Sequence, residues 1–254
     1  MIRIGMLTPS SNTVLEPMTY EMLRDVPDVT AHFARFRVTE IGLGSAARGQ
    51  FDVGPILDAA ELLAQAKCEV IVWNGTSASW LGFERDEALI AEIEARTGIR
   101  AATCVLGYRE LLRRQGIKRV GLVTPYTDDV QARIAAVWCG EGFVVATERH
   151  TGLADNFSFA GVSEADVERM VREVVLEGCE AALILCTNMR GASVAARVEA
   201  ELGVPVFDSV AVGLWAGLLA AGVSREGLRR WGRGYGDRAA GSGQQAAVST
   251  WVSP

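Results

Sequence analysis

Three stretches of this chain occur twice, in the same order. RIGMLTPSSN from Arg3 returns as RVGLVTPYTD from Arg119, and CEVIVWNGTS from Cys68 returns as CEAALILCTN from Cys179. GIRAATCVLG from Gly98 returns as GVPVFDSVAV from Gly203. One such match is easily found by chance; three in order at similar offsets are not. The chain therefore reads as an internal duplication of α/β units.

Local patterns agree. Residues 4–7, 70–73, 120–123 and 182–185 are short apolar runs bounded by Gly, Pro or polar turns. Runs of this kind suit strands buried on both faces of a parallel sheet. Helical stretches lie between them. Residues 55–66 set Ile56, Ala59, Ala60, Leu63 and Ala66 on one stripe. Residues 83–97 alternate acidic and apolar positions with helical period, and Gly98 follows as a C-cap. Ser163 opens a third helix over 163–177. Strands alternating with helices predict an α/β fold: two pseudo-symmetric Rossmann-like halves, each with a mainly parallel sheet. The halves are expected over residues 1–115 and 116–232, with approximate boundaries and segments free to cross over. Residues 233–254, rich in Gly, Ala, Ser and Gln, read as a tail or arm in which Trp251 is a candidate docking residue.

Composition removes several function classes. The 254 residues are 49% hydrophobic and 22% charged, ordinary for a globular protein. A formal net charge of −6 argues against a nucleic-acid partner or an anionic membrane. Five cysteines without paired spacing predict a reducing, cytoplasmic setting. With His32 and His150 the only histidines, and no CxxC or HxxxH, no metal site is expected. The N-terminal apolar run is too short for a signal peptide. The longest apolar stretch, 204–223, is interrupted by Pro205, Asp208 and Ser209. It reads as a strand, a turn and a buried helix rather than a membrane span.

In parallel sheets, ligands bind at the carboxyl ends of strands. Residues 8–12, 74–77, 124–128 and 186–188 all fall there and converge on one cleft if the halves face each other. Laying Cys68 over Cys179 puts Gly75 over Cys186 and Thr76 over Thr187. Cys68, Cys104, Cys139 and Cys179 lie in apolar or helical settings and read as inert. Cys186 sits at a strand mouth, and a helix is expected to begin just after it. Helix N-termini favour negative charge, so this thiol is expected to be partly thiolate when free and protonated beside an anionic ligand. Thr76, Ser77 and Thr187 read as caps whose hydroxyls and N–H groups also face an anion. Gly75 is either a backbone device for positive φ or a space cleared for substrate. Tyr126 is either a turn residue or a phenol donating to an oxyanion. Asn12 and Asn156 are turn formers or amide donors to a carboxylate. Arg190 reads as solvated, and Asp128-Asp129 as a helix start. GLGSAARG, residues 42–49, lacks GxGxxG spacing, and no GxxxxGK[ST] occurs.

TPSSNTVLEP, PYTDD, the Asp155-Asn156 pair and CTNMR together resemble the aspartate/glutamate/hydantoin racemase superfamily, and within it the maleate cis-trans isomerase group. The likeness runs from Ile4 to about Gly222. It implies two Rossmann-like halves, no cofactor, and an active site in the cleft. Isomerases of the group carry a cysteine where this chain has Gly75. The Gly/Cys pairing, with GTSxSW after the glycine, is similar to that of arylmalonate decarboxylase. That similarity implies that Thr76, Ser77 and Tyr126 stabilise an enediolate while Cys186 delivers a proton to one face. Similarity to the isomerases implies that Asn12 and Asn156 hold a substrate carboxylate; Gly75, Thr187 and Asn188 are the further residues expected at the substrate site. The expected partner is a small carboxylic or dicarboxylic acid, and a homo-oligomer is left open. A single thiol serves one face only, which suits decarboxylation of a substituted malonate-type acid, because loss of CO2 makes the carbanion without a base. The alternatives are isomerase, lyase or hydrolase chemistry with Cys186 as nucleophile, and a small-acid binding protein without catalysis.

Overall fold

The computed structural model describes residues 1–44, 49 and 52–237. The first half runs β1 (Ile2–Pro9), α1 (Leu15–Leu23), β2 (Val29–Phe36), α2 (Val53–Gln65), β3 (Val70–Trp73), α3 (Ala78–Leu81), α4 (Phe83–Thr97), β4 (Arg100–Thr103) and α5 (Cys104–Gln115). The second runs β5 (Arg119–Thr124), α6 (Asp128–Gly140), β6 (Val144–His150), α7 (Glu164–Leu176), β7 (Ala181–Ile184), α8 (Ala192–Leu202), β8 (Val206–Asp208) and α9 (Ser209–Ala221). The duplicated sequence thus becomes two parallel sheets of like topology, β2-β1-β3-β4 and β6-β5-β7-β8.

The apolar runs are the inner strands. Every residue of β3 and of β7 is buried. The edge strands β2 and β6 carry no such run, because one side of each meets solvent and their burial alternates or is partial. The helix ends behave as their sequences predict. Ser163 Oγ accepts from Asp166 N at 3.1 Å to cap α7, and Gly98 closes α4 at φ 68°. Asp128 and Asp129 begin α6.

Register levels the strand ends. Leu7 pairs with Trp73, and Trp73 with Thr103. Val123 pairs with Ile184, and Ile184 with Asp208. The turns that follow these strands therefore open on one edge of each sheet.

The halves exchange structure. The apolar stretch 204–223 is β8 running directly into α9, with Asp208 Oδ1 capping Val210 N at 2.9 Å. α9 packs on β3 and β4 of the first sheet. It sits so close that a Cβ on Gly217 would lie 2.7 Å from Val72 Cγ2. That double coverage explains a helix apolar on nearly all sides; among the described residues no helix is long and apolar enough to cross a membrane. In the other direction, Tyr108 of α5 reaches the second half. Its hydroxyl lies 2.9 Å from Ile184 O, 3.1 Å from Phe207 O and 3.1 Å from Ser209 Oγ. Residues 233–237 also pack on the second half. Tyr235 is buried against Phe207 and accepts from Asp208 N at 3.0 Å. Trp251 and the rest of the expected tail lie outside the described residues, as do residues 45–48 of GLGSAARG.

Removing one buried hydroxyl tests the cross-half contact. Tyr108→Phe leaves buried carbonyls without their donor and is expected to cost about 1–3 kcal/mol in urea unfolding. An unchanged midpoint would show that the contact contributes nothing.

Candidate active site

Four strand-end turns meet in the cleft. After β3 the chain runs Asn74, Gly75, Thr76, Ser77; after β7 it runs Cys186, Thr187, Asn188. Asn12 follows β1, and Tyr126 follows β5. Thr187 ties three of these turns together. Its Oγ1 accepts from Asn12 Nδ2 at 3.0 Å and donates to Asn74 O at 2.9 Å. Asn188 bridges further. Its Oδ1 accepts from Thr13 N at 2.9 Å and its Nδ2 donates to Asn156 O at 2.6 Å.

These bonds enclose a cavity of about 20 Å³. Its polar wall is Thr76, Ser77, Tyr126, Asn156, Cys186 and Thr187, with Gly75 beside them. Pro9, Val38, Ile41 and Trp80 supply the apolar wall. Six of the expected catalytic and substrate-binding side chains, together with Gly75, are thus brought to one space. Asn12 and Asn188 do not line it. Asn12 Oδ1 accepts from Val14 N and Leu15 N, so its amide orders the start of α1 and Thr187. Arg190 is exposed and donates to Ala160 O.

Val38, Ile41 and Trp80 are lining residues that the duplication did not single out. Val38 and Ile41 lie in a segment without periodicity, so no pattern marks them. The segment crosses to the second half, where Ile41 N donates to Ala154 O and Asn156 N donates to Thr39 O, both at 2.9 Å. Trp80 stacks edge-on against Tyr126 with centroids 5.2 Å apart.

The donors are arranged around one point. Thr76 Oγ1 and Tyr126 OH are 2.7 Å apart. One hydroxyl donates to the other, and the Tyr126 hydroxyl is also within hydrogen-bonding reach of Cys186, so the pair and the thiol form one donor cluster facing the cavity. Burial, and then the charge that Cys186 would carry, hold the Tyr126 phenol well above its usual range, so it stays a donor. Among the described residues, no acceptor takes the backbone N–H of Thr76, Ser77 or Thr187. Such unspent N–H groups in a dry turn suit an oxyanion.

Two expectations about the thiol need correction. The helix after Cys186 does not begin at once; α8 starts at Ala192, and residues 186–190 form a turn. Met189 N bonds back to Cys186 O, and Asn188 N faces Cys186 Sγ at 3.4 Å. The thiol is also not partly ionised. Burial pushes it up to about 12, opposed by the Asn188 N–H and the Tyr126 hydroxyl, with nearby Asp208 adding to the rise. Gly75 likewise has no positive φ, so the backbone does not require glycine there.

The arylmalonate decarboxylase family matches residues 6–231. The chain belongs to the arylmalonate decarboxylase family. Arylmalonate decarboxylase from Bordetella bronchiseptica is 28% identical over 91% of this chain and 95% of its own length. Maleate isomerase from Nocardia farcinica is also 28% identical, over 84% of this chain and 88% of its own. A crystal structure of arylmalonate decarboxylase superposes with a TM-score of 0.73 at 26% identity, covering 92% of this chain and 98% of that one. A Nocardia farcinica maleate cis-trans isomerase variant, solved with a covalently bound succinylcysteine intermediate, gives 0.83 at 21% identity, over 92% and 98%. The relatives are enzymes of two reactions, and the family fold accounts for both sheets of this chain.

The state of the thiol is directly measurable. Alkylation by iodoacetamide proceeds through the thiolate. Labelling of Cys186 is expected to accelerate steadily with pH, without a plateau by pH 10, given a value raised to about 12. A plateau below pH 9 would mean that the site stabilises the thiolate.

Proposed function

We propose that this protein decarboxylates a substituted malonate-type acid and that Cys186 protonates the resulting enediolate. The observation that carries this reading is the buried, neutral Cys186 thiol, which lines one small cavity together with Gly75, a residue with no side chain. A nucleophile must be ionised, whereas an acid must hold its proton. Burial to about 12 favours the acid.

The steps balance without a base. The C–CO2 bond breaks, CO2 leaves, and the electron pair stays on the α-carbon. It delocalises into the remaining carboxylate as an enediolate. Tyr126, Thr76 and the turn N–H groups of Thr76 and Ser77 donate to its oxygens, and Asn156 and Thr187 orient the retained carboxylate. Cys186 then gives its proton to the α-carbon, and the thiolate recovers one from water. A thiolate of such a basic thiol is reprotonated readily. The apolar wall of Pro9, Val38 and Ile41 is the poorest place in the cavity for a charge and is where the departing carboxylate belongs.

The cavity has room for about one water, whereas ligand pockets are ordinarily some ~300 Å³ or more. Binding therefore requires the wall to move.

The test is a panel of aryl-substituted malonates and maleate followed by NMR in D2O. The expected result is release of CO2 with one deuterium on one face of the product. Cys186→Ala should lower kcat by about 10²–10⁴-fold, and Tyr126→Phe by about 10²-fold. Conversion of maleate with a covalent adduct on Cys186, and no malonate turnover, would establish the nucleophilic alternative instead. Binding without any turnover would leave only a small-acid binding protein.

A further inference from the structure

We infer that Trp73 fixes the single-thiol design of the site: its indole occupies the place that a side chain at position 75 would need. The consequence for the face of protonation rests on the decarboxylase reading; the steric part does not.

The duplication supplies the comparison. Trp73 ends β3 and Ile184 ends β7, and each stands two residues before the position that faces the cleft, Gly75 or Cys186. After Ile184, a full cysteine side chain fits. After Trp73, nothing fits. A Cβ on Gly75 would fall 2.5 Å from Trp73 Cε2 and 2.8 Å from Cη2, and nearer still to Cζ2. Non-bonded carbons settle at about 3.5–4.0 Å. Since Gly75 has no positive φ, the absence of a side chain reflects this crowding and not backbone strain.

The indole cannot retreat. Trp73 is fully buried and packs on Phe36 with ring centroids 4.9 Å apart. Beside it lies a cavity of about 30 Å³, shared with Ser77, Asp86 and Leu89. That volume takes roughly one or two waters, not a displaced indole. The indole N–H lies near the Asp86 carboxyl and helps restrain its pKa, which burial raises to about 7, yet neither Trp73 Nε1 nor Asp86 Oδ2 completes a hydrogen bond. The ring packs on Phe36 and the adjoining cavity is too small to receive it, so a second thiol opposite Cys186 requires position 73 to change first.

Thermal unfolding of a variant set tests the steric part, using Gly75→Ala and Gly75→Cys, each alone and combined with Trp73→Leu. Alone, either change at 75 should lower Tm by roughly 2–12 °C. With Trp73→Leu, the same changes should cost nothing or raise Tm, a clear departure from additivity. Failure of Gly75→Cys alone to fold, with the double variant folded, supports the inference equally. Equal losses in both backgrounds, or no loss from Gly75→Ala beside Trp73, overturns it. The Trp73→Leu/Gly75→Cys variant should then deliver deuterium to both faces of a disubstituted malonate product. A folded double variant that still labels one face only overturns the role in facial selection. If the unmodified protein releases no CO2 from any malonate, the decarboxylase reading fails while the Tm comparison still judges Trp73.

Discussion

The Thr187 hydroxyl is the fastening on which the cleft depends. It accepts from Asn12 and donates to the Asn74 carbonyl, so one side chain joins the turns after β1, β3 and β7. Each bond contributes about 1 kcal/mol net, but breaking either leaves a buried polar group unmatched. The neighbouring positions follow from it. Cys186 precedes Thr187 and Gly75 follows Asn74, and both line the cavity. The bond uses the side chains that a sequence reader would assign to substrate. Asn12 and Asn188 join the turns without lining the cavity, and the groups that face it are the Thr76–Tyr126 pair and the turn N–H groups.

Dryness then sets the chemistry. The same enclosure that orders the turns strips solvent from Cys186 and keeps its proton on. Two buried carboxyls, Asp86 in the first turn of α4 and Asp208 at the end of β8, are pushed up to about 7 by burial. Near neutral pH neither is firmly ionised, so neither offers the fixed charge that would hold Cys186 in one state. A neutral thiol beside neutral donors suits a reaction whose negative charge arrives with the substrate.

The fold was legible because the duplicated segments are the buried ones. Inner strands must be continuously apolar, and β3 and β7 are, so their pattern identified both sheets. The edge strands β2 and β6 obey no such demand and left no mark. Cys186 was legible from its position at a strand end beside hydroxyl and amide groups. Its protonation was not, because the sequence suggested a helix at residue 187 where Asn188 instead holds a turn. Val38 and Ile41 were invisible for another reason. Val38 is held by the Ser10 and Ser11 hydroxyls and Ile41 by a backbone bond to Ala154, contacts between segments far apart in the chain that no local pattern marks.

Trp73 shows what alignment of the two halves could and could not yield. Matching Cys68 to Cys179 exposed the Gly75–Cys186 difference, and it also places Trp73 over Ile184. Both residues are buried and both end a strand, so by pattern they are equivalent. They differ in reach. Ile184 stops short of the turn, while the Trp73 ring passes beneath Gly75. In a duplicated scaffold the backbones stay alike, so a change of chemistry in one copy need not begin at the reacting position. A larger residue two places upstream removes the room for a side chain, and glycine is then the residue that remains.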